Sequence, residues 1–73
     1  MKKTIYDNDY KIFVRRLKKA REDTGLTQVQ VAKKLGSTQA YISKVESGQL
    51  RVDVAQLKEF AKIYRKDIQY FVK

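Results

Sequence analysis

Seventy-three residues allow one domain and one small core, marginal enough that a second copy is expected to share it. The chain has neither cysteine nor histidine, which removes disulfides, thiolate zinc sites, the commonest general base and the commonest metal ligand. Seventeen Lys and Arg against eight Asp and Glu leave a net charge of +9, a field that attracts polyanions such as nucleic acid or an acidic membrane surface.

No apolar run approaches the ~20 residues needed to span a bilayer. The opening Met1-Lys2-Lys3-Thr4-Ile5-Tyr6-Asp7 has two lysines with no apolar stretch behind them, so it does not read as a secretory signal. A cytoplasmic protein with no membrane partner is the expectation. There is no proline, repeat or low-complexity stretch, and Gly25, Gly36 and Gly48 fall between segments of helical periodicity.

Residues 1–6 are predicted to be a flexible N-terminal arm. The first helix is predicted from about Asp7 to Thr24. Phe13, Leu17 and Ala20 recur at helical spacing beside Tyr10 and Val14. Asp7, Asn8 and Asp9 offer a cap and first-turn acids that suit the positive end of the helix dipole. The second helix opens at Thr27, whose hydroxyl and Gln30 form a capping box. Val31, Ala32 and Leu35 mark its buried face, and Gly36 ends it. The third is capped by Ser37 or Thr38 and runs from Gln39 to about Ser47, with Ile42 and Val45 inward. After the loop 49–52, Asp53 and Gln56 box a fourth helix lined by Val54, Leu57, Phe60, Ala61 and Tyr64. Asp67 caps a last turn, Ile68 to Val72. No alternating pattern long enough for a strand competes with these five helices.

Helices two and three are short, and their link, Gly36-Ser37-Thr38, is about three residues. So tight a link forces a crossed pair, the geometry that lets one helix lie in a DNA major groove. Ala32 is small where the two helices must touch, and Gly36 allows the chain to turn at positive φ. Ile42 and Val45 anchor the third helix and leave its opposite side free.

The stretch Gly25-Leu26-Thr27-Gln28-x-x-Val31-Ala32-x-x-Leu35-Gly36-x-Thr38-Gln39-x-x-Ile42-Ser43-Lys44-Val45-Glu46-x-Gly48 resembles the Cro and phage-repressor helix-turn-helix family. That family includes many bacterial regulators of the xenobiotic-response-element type. The likeness runs from about Phe13 to Val72 and departs at Ser37, where the family usually has an apolar residue. It implies an all-α, compact five-helix bundle of the lambda-repressor kind, a single domain over 1–73 with the helix-turn-helix at 27–47. It also implies a recognition helix at Gln39 to Ser47 and a twofold dimer on a roughly palindromic site.

The base-contacting set is then Gln39, Ala40, Tyr41, Ser43 and Lys44. An amide at Gln39 can pair bidentately with adenine N6 and N7, and in similar proteins a glutamine here contacts a base. Ala40 can meet a thymine methyl. Tyr41 reaches a phosphate or a base edge, or packs on its own helix. Lys44 donates to guanine or, as phosphates take half to two-thirds of protein–DNA hydrogen bonds, to the backbone. The phosphate-contacting set is Gln28, Thr38 and Arg51. The family counterpart of Gln28 binds a phosphate at a helix N-terminus, where free N–H groups favour an anion. Thr38 caps, touches a phosphate, or does both. Arg15, Arg16, Lys18 and Lys19 read as a solvated face adding long-range attraction.

In similar proteins an arginine of helix one pairs with the glutamate ending helix three, and Arg21 and Glu46 match both positions as a structural ion pair. Tyr64, Ile68, Tyr70, Phe71 and Val72 crowd the C-terminus and are assigned to a homodimer interface, with Tyr64, Ile68 and Phe71 core or shared.

The leading function is a sequence-specific double-stranded DNA-binding transcriptional regulator, a repressor acting as a homodimer. A second class is an antitoxin or coactivator-type module that binds a partner protein, with DNA secondary. A third is non-specific nucleic-acid binding by charge alone, which competition with unrelated duplex distinguishes. Enzymatic activity, a cofactor, a metal and a small-molecule substrate are not expected: the eight carboxylates read as caps and helix surface, and no glycine loop cradles a phosphate.

Overall fold

The second to fifth helical segments are too short to hold themselves together, since an isolated helix below ~12–15 residues is marginal in water. The computed structural model, which describes residues 3–72 with side chains from Asp9 onward, shows how packing supplies the difference. Five α-helices follow in order: α1 (Lys3–Thr24), α2 (Gln28–Leu35), α3 (Gln39–Glu46), α4 (Val54–Tyr64) and α5 (Ile68–Val72). Among the described residues there is no strand.

Caps set the helix starts. The Thr27 hydroxyl accepts from the Gln30 N–H at 3.1 Å while the Thr27 N–H donates to the Gln30 amide oxygen at 2.9 Å. Asp53 and Gln56 repeat this reciprocal pair at 2.8 and 2.9 Å. Of the two candidates before α3 it is Thr38 that caps, accepting from the Tyr41 N–H at 3.1 Å. The Asp67 carboxylate accepts from the Gln69 N–H at 3.0 Å at the start of α5. Each such cap contributes about 1 kcal/mol.

The start of α1 departs from expectation. It begins at Lys3, so residues 3–6 are helix rather than arm; Met1 and Lys2 lie outside the described residues. No acid stands in its first turn, and Asp7, Asn8 and Asp9 fall inside the helix instead of capping it. Neither glycine nor proline occurs between Lys3 and Thr24, and extending an existing helix costs little once it is nucleated.

The core is a single cluster to which every helix contributes. Leu17 and Ala20 of α1, Val31 and Ala32 of α2, Ile42 and Val45 of α3 and Phe60 of α4 are sealed from solvent. Ala32 is buried on the α2 face that packs against α3, with no bulk to hold the helices apart. Gly36 ends α2 at φ 70°, and the Ser37 N–H closes the turn onto the Ala32 carbonyl at 2.8 Å. Ser37 itself is exposed, so its departure from an apolar residue leaves no core position unfilled.

One reading of the apolar positions is corrected and one is narrowed. Val54 does not line the inner side of α4; as the first residue of that helix it is 68% exposed. Of the residues read as core or shared with a second copy, Tyr64 and Phe71 are core. Both are fully buried within the chain, because α5, which carries Phe71, folds back against α1 and α4. Of the remaining C-terminal residues, Ile68 and Tyr70 are half-buried and Val72 is exposed. Tyr70 stands edge-on to Phe71, with ring centroids 5.1 Å apart, and its carbonyl accepts from Arg16 at 3.4 Å.

One backbone position among the described residues is strained. Arg65 ends α4 in the left-handed region, at φ 57° and ψ 44°, where glycine sits without penalty. A left-handed residue with a Cβ costs roughly 1–2 kcal/mol, and glycine's extra freedom in the unfolded chain returns about 0.4–1 of it. Arg65→Gly is therefore expected to stabilise the fold by about 0.5–1 kcal/mol, read as a higher urea midpoint at unchanged slope. A lower midpoint would show that the arginine side chain holds this turn.

Candidate nucleic-acid interface

At 100° per residue, the eight residues of α3 divide into two sides. Ile42 and Val45 point into the core and are completely buried. Gln39, Ala40, Ser43 and Lys44 lie on the other side and are exposed. A polar strip therefore projects from the bundle along the whole helix.

Tyr41 is not on that strip. It is half-buried on the flank of α3 and packs against the core beside Leu35 and Phe60. Burial raises the pKa of its hydroxyl, with Asp53 and Tyr10 adding to the effect. The cause is angular: Tyr41 lies four residues before Val45, about 40° from it around the helix, and so stands closer to the buried side than Ala40 or Ser43 do. Of the alternatives open for Tyr41, packing on the flank of its own helix is the one this half-burial favours.

A chain of hydrogen bonds runs from α1 to the first turn of α3. Arg21 grips Glu46 with two nitrogens, Nε to Oε2 at 2.6 Å and Nη2 to Oε1 at 3.1 Å. Its third nitrogen, Nη1, donates to the Leu26 carbonyl at 2.9 Å, just before the α2 cap. The Arg21 and Glu46 side chains are only 13% and 6% exposed. The pairing holds the Arg21 guanidinium more firmly protonated than usual, through the hydrogen bond to Glu46 against the cost of burial. Gln28 Nε2 then donates to Glu46 Oε1 at 3.0 Å, and Gln39 Nε2 donates to Gln28 Oε1 at 3.0 Å. The sequence offered no sign of the two glutamine links, which join residues 18 and 11 positions apart.

That arrangement leaves specific atoms unused by this chain of bonds. An amide carries two N–H donors and an oxygen with two lone pairs. Gln39 spends one N–H on Gln28, so its Oε1 and its other N–H make up the donor–acceptor pair that matches adenine N6 and N7. Gln28, half-buried, keeps one N–H beyond the bond to Glu46. Thr38 is exposed at the cap of α3.

Arg51 follows α3 in the loop and is exposed, but it is not a floating side chain. Its guanidinium lies 4.2 Å from the centroid of the Tyr10 ring, a cation–π stack. The Tyr10 hydroxyl donates to the Leu50 carbonyl at 3.2 Å. Tyr10, assigned from the sequence only to the buried stripe of α1, thus ties the loop after α3 to the first helix.

The chain matches a family model described as helix-turn-helix over residues 17–71. It belongs to the helix-turn-helix family, in its Cro and phage-repressor type, and is a DNA-binding regulator. No curated protein and no solved structure matches it. No helix among the described residues is long and apolar enough to cross a membrane.

Two expectations follow. Glu46→Ala leaves the guanidinium of Arg21 buried without its counter-ion and should cost about 3 kcal/mol in urea unfolding; a loss under about 1 kcal/mol would place the pair among surface contacts. The second concerns alkaline pH. Burial, reinforced by Glu46, raises the Tyr64 phenol well above its ordinary value near ~10. The unfolded chain therefore loses this proton first. The stability tied to neutral Tyr64 is complete below about pH 10 and declines as pH rises further. Tyr64→Phe should lower the slope of unfolding free energy against pH in that range, and an unchanged slope would assign the alkaline loss to other groups.

Proposed function

We propose that this chain is a sequence-specific repressor that binds a roughly palindromic stretch of double-stranded DNA as a homodimer in the cytoplasm, without catalysis or cofactor. One observation carries the reading: the exposed amide of Gln39, oriented by Gln28, keeps an oxygen and an N–H that can read one adenine edge.

Around it Ala40 is short enough to approach a thymine methyl, and Ser43 and Lys44 extend the readout one turn along the helix. Gln28, through its remaining N–H, Thr38 at the cap and Arg51 in the loop are assigned to flanking phosphates. Phosphate contacts set the register and base contacts set the sequence. In a twofold dimer the two α3 helices would enter successive major grooves ~34–36 Å apart. Exposed Val72, with half-buried Ile68 and Tyr70, is the surface offered for pairing. Holding α3 rigidly against the core would keep the two reading strips at a fixed separation.

Selection of bound sequences from a random duplex pool tests this. An inverted repeat is expected, with Gln39→Ala costing about 1–3 kcal/mol on it and relaxing a single base position. A pool without preference would reduce the function to charge-driven binding. Co-purification of a stoichiometric protein partner, with no selected duplex, would favour the antitoxin or coactivator class instead.

A further inference from the structure

Beside the recognition helix lies a second basic feature. A cleft of about 370 Å³ opens between α1 and the turn that follows α3, with Lys11 and Arg15 on one wall and Ser47, Gly48 and Arg51 on the other. Among the described residues no carboxylate lines it. Lys11 and Arg15 stand four residues apart on α1, a spacing at which like charges face and repel each other. Across the cleft, Arg51 is held by its stack on Tyr10, while the Tyr10 hydroxyl fixes the loop through the Leu50 carbonyl.

We propose that Lys11 and Arg15 join Arg51 in a clamp for a phosphodiester of the bound duplex. This makes α1 a second contact surface on the DNA rather than a merely solvated face. The proposal rests on the DNA-binding reading and adds to it a backbone site fed by the first helix. The chemistry is that of a phosphate anion: a guanidinium can grip two phosphate oxygens, and a lysine adds a mobile point charge. The contact carries no sequence information, so its signature is electrostatic. Each phosphate neutralised by a side chain adds about 0.9 to the dependence of log affinity on log salt.

The full chain is titrated with its selected duplex and with a scrambled duplex over a range of salt. Lys11→Ala/Arg15→Ala should weaken both duplexes by the same factor and lower the salt slope by up to about 0.9, the share of one phosphate. Lys58→Ala/Lys62→Ala, which removes the same charge from the exposed side of α4, should lower it by less than half as much. Lys11→Arg/Arg15→Lys keeps both charges and should retain the wild-type slope, which separates lost contacts from a lost fold. An unchanged slope in the first variant, or equal losses in the first and second, overturns the clamp. So does saturation of the Arg15 and Gly48 amide signals by submillimolar inorganic phosphate without DNA, which would assign the cleft to a small free anion. A wild-type chain with no preferred duplex would instead sink the regulator reading itself.

Discussion

The grip of Arg21 on Glu46 is the constraint around which the rest is arranged. It joins the last turn of α1 to the last turn of α3 across 25 residues of chain, and the remaining guanidinium nitrogen holds the Leu26 carbonyl where α2 is about to start. Three segments that have little stability alone are set relative to one another by one side chain. Desolvating two charges is expensive, and only dense hydrogen bonding offsets it. Here each guanidinium nitrogen has a partner, and Glu46 Oε1 accepts from Gln28 as well.

The same carboxylate extends that order to the surface. Gln28 leans on Glu46, and Gln39 leans on Gln28, so an exposed amide is positioned by a nearly buried ion pair. A long, polar side chain on a helix surface would otherwise sample several rotamers, and fixing it on binding costs about 0.5–1.5 kcal/mol. Part of that ordering is already present in the free chain. Tyr10 does the comparable work for the loop, fixing Arg51 by a stack and Leu50 by a hydrogen bond. Both flanks of α3 are thus held, one by the glutamine chain and one by the tyrosine, while Ile42 and Val45 hold it from beneath.

Much of this architecture was legible in the residues because it depends on local rules. A hydroxyl or carboxylate followed three positions later by glutamine marked the starts of α2 and α4, and both boxes close as reciprocal hydrogen bonds. Gly36 and Gly48 marked turns that need positive φ. The spacing of Ile42 and Val45 separated the buried side of α3 from the exposed one. Family resemblance directed attention to Arg21 and Glu46, which periodicity alone would have left as two surface charges.

Where the sequence misled or left a choice open, a partner distant in the chain decided the outcome. By sequence Tyr64 and Phe71 stand between core and a surface shared with a second copy, and the packing of α5 against α1 and α4 buries both within the chain. Tyr41 stands open between reaching DNA and packing on its own helix, and its half-buried place beside Leu35 and Phe60 favours the second. The acids near residue 8 read as a cap, yet the helix starts before them. Composition, caps and periodicity are properties of a few neighbouring residues, so the sequence by itself determined that the chain is basic, all-helical and built around a helix-turn-helix. Which atoms of Gln39 remain available, which aromatic side chains are covered, and that Lys11, Arg15 and Arg51 share one cleft were decided only by the tertiary structure, because each depends on side chains brought together from separate helices and loops.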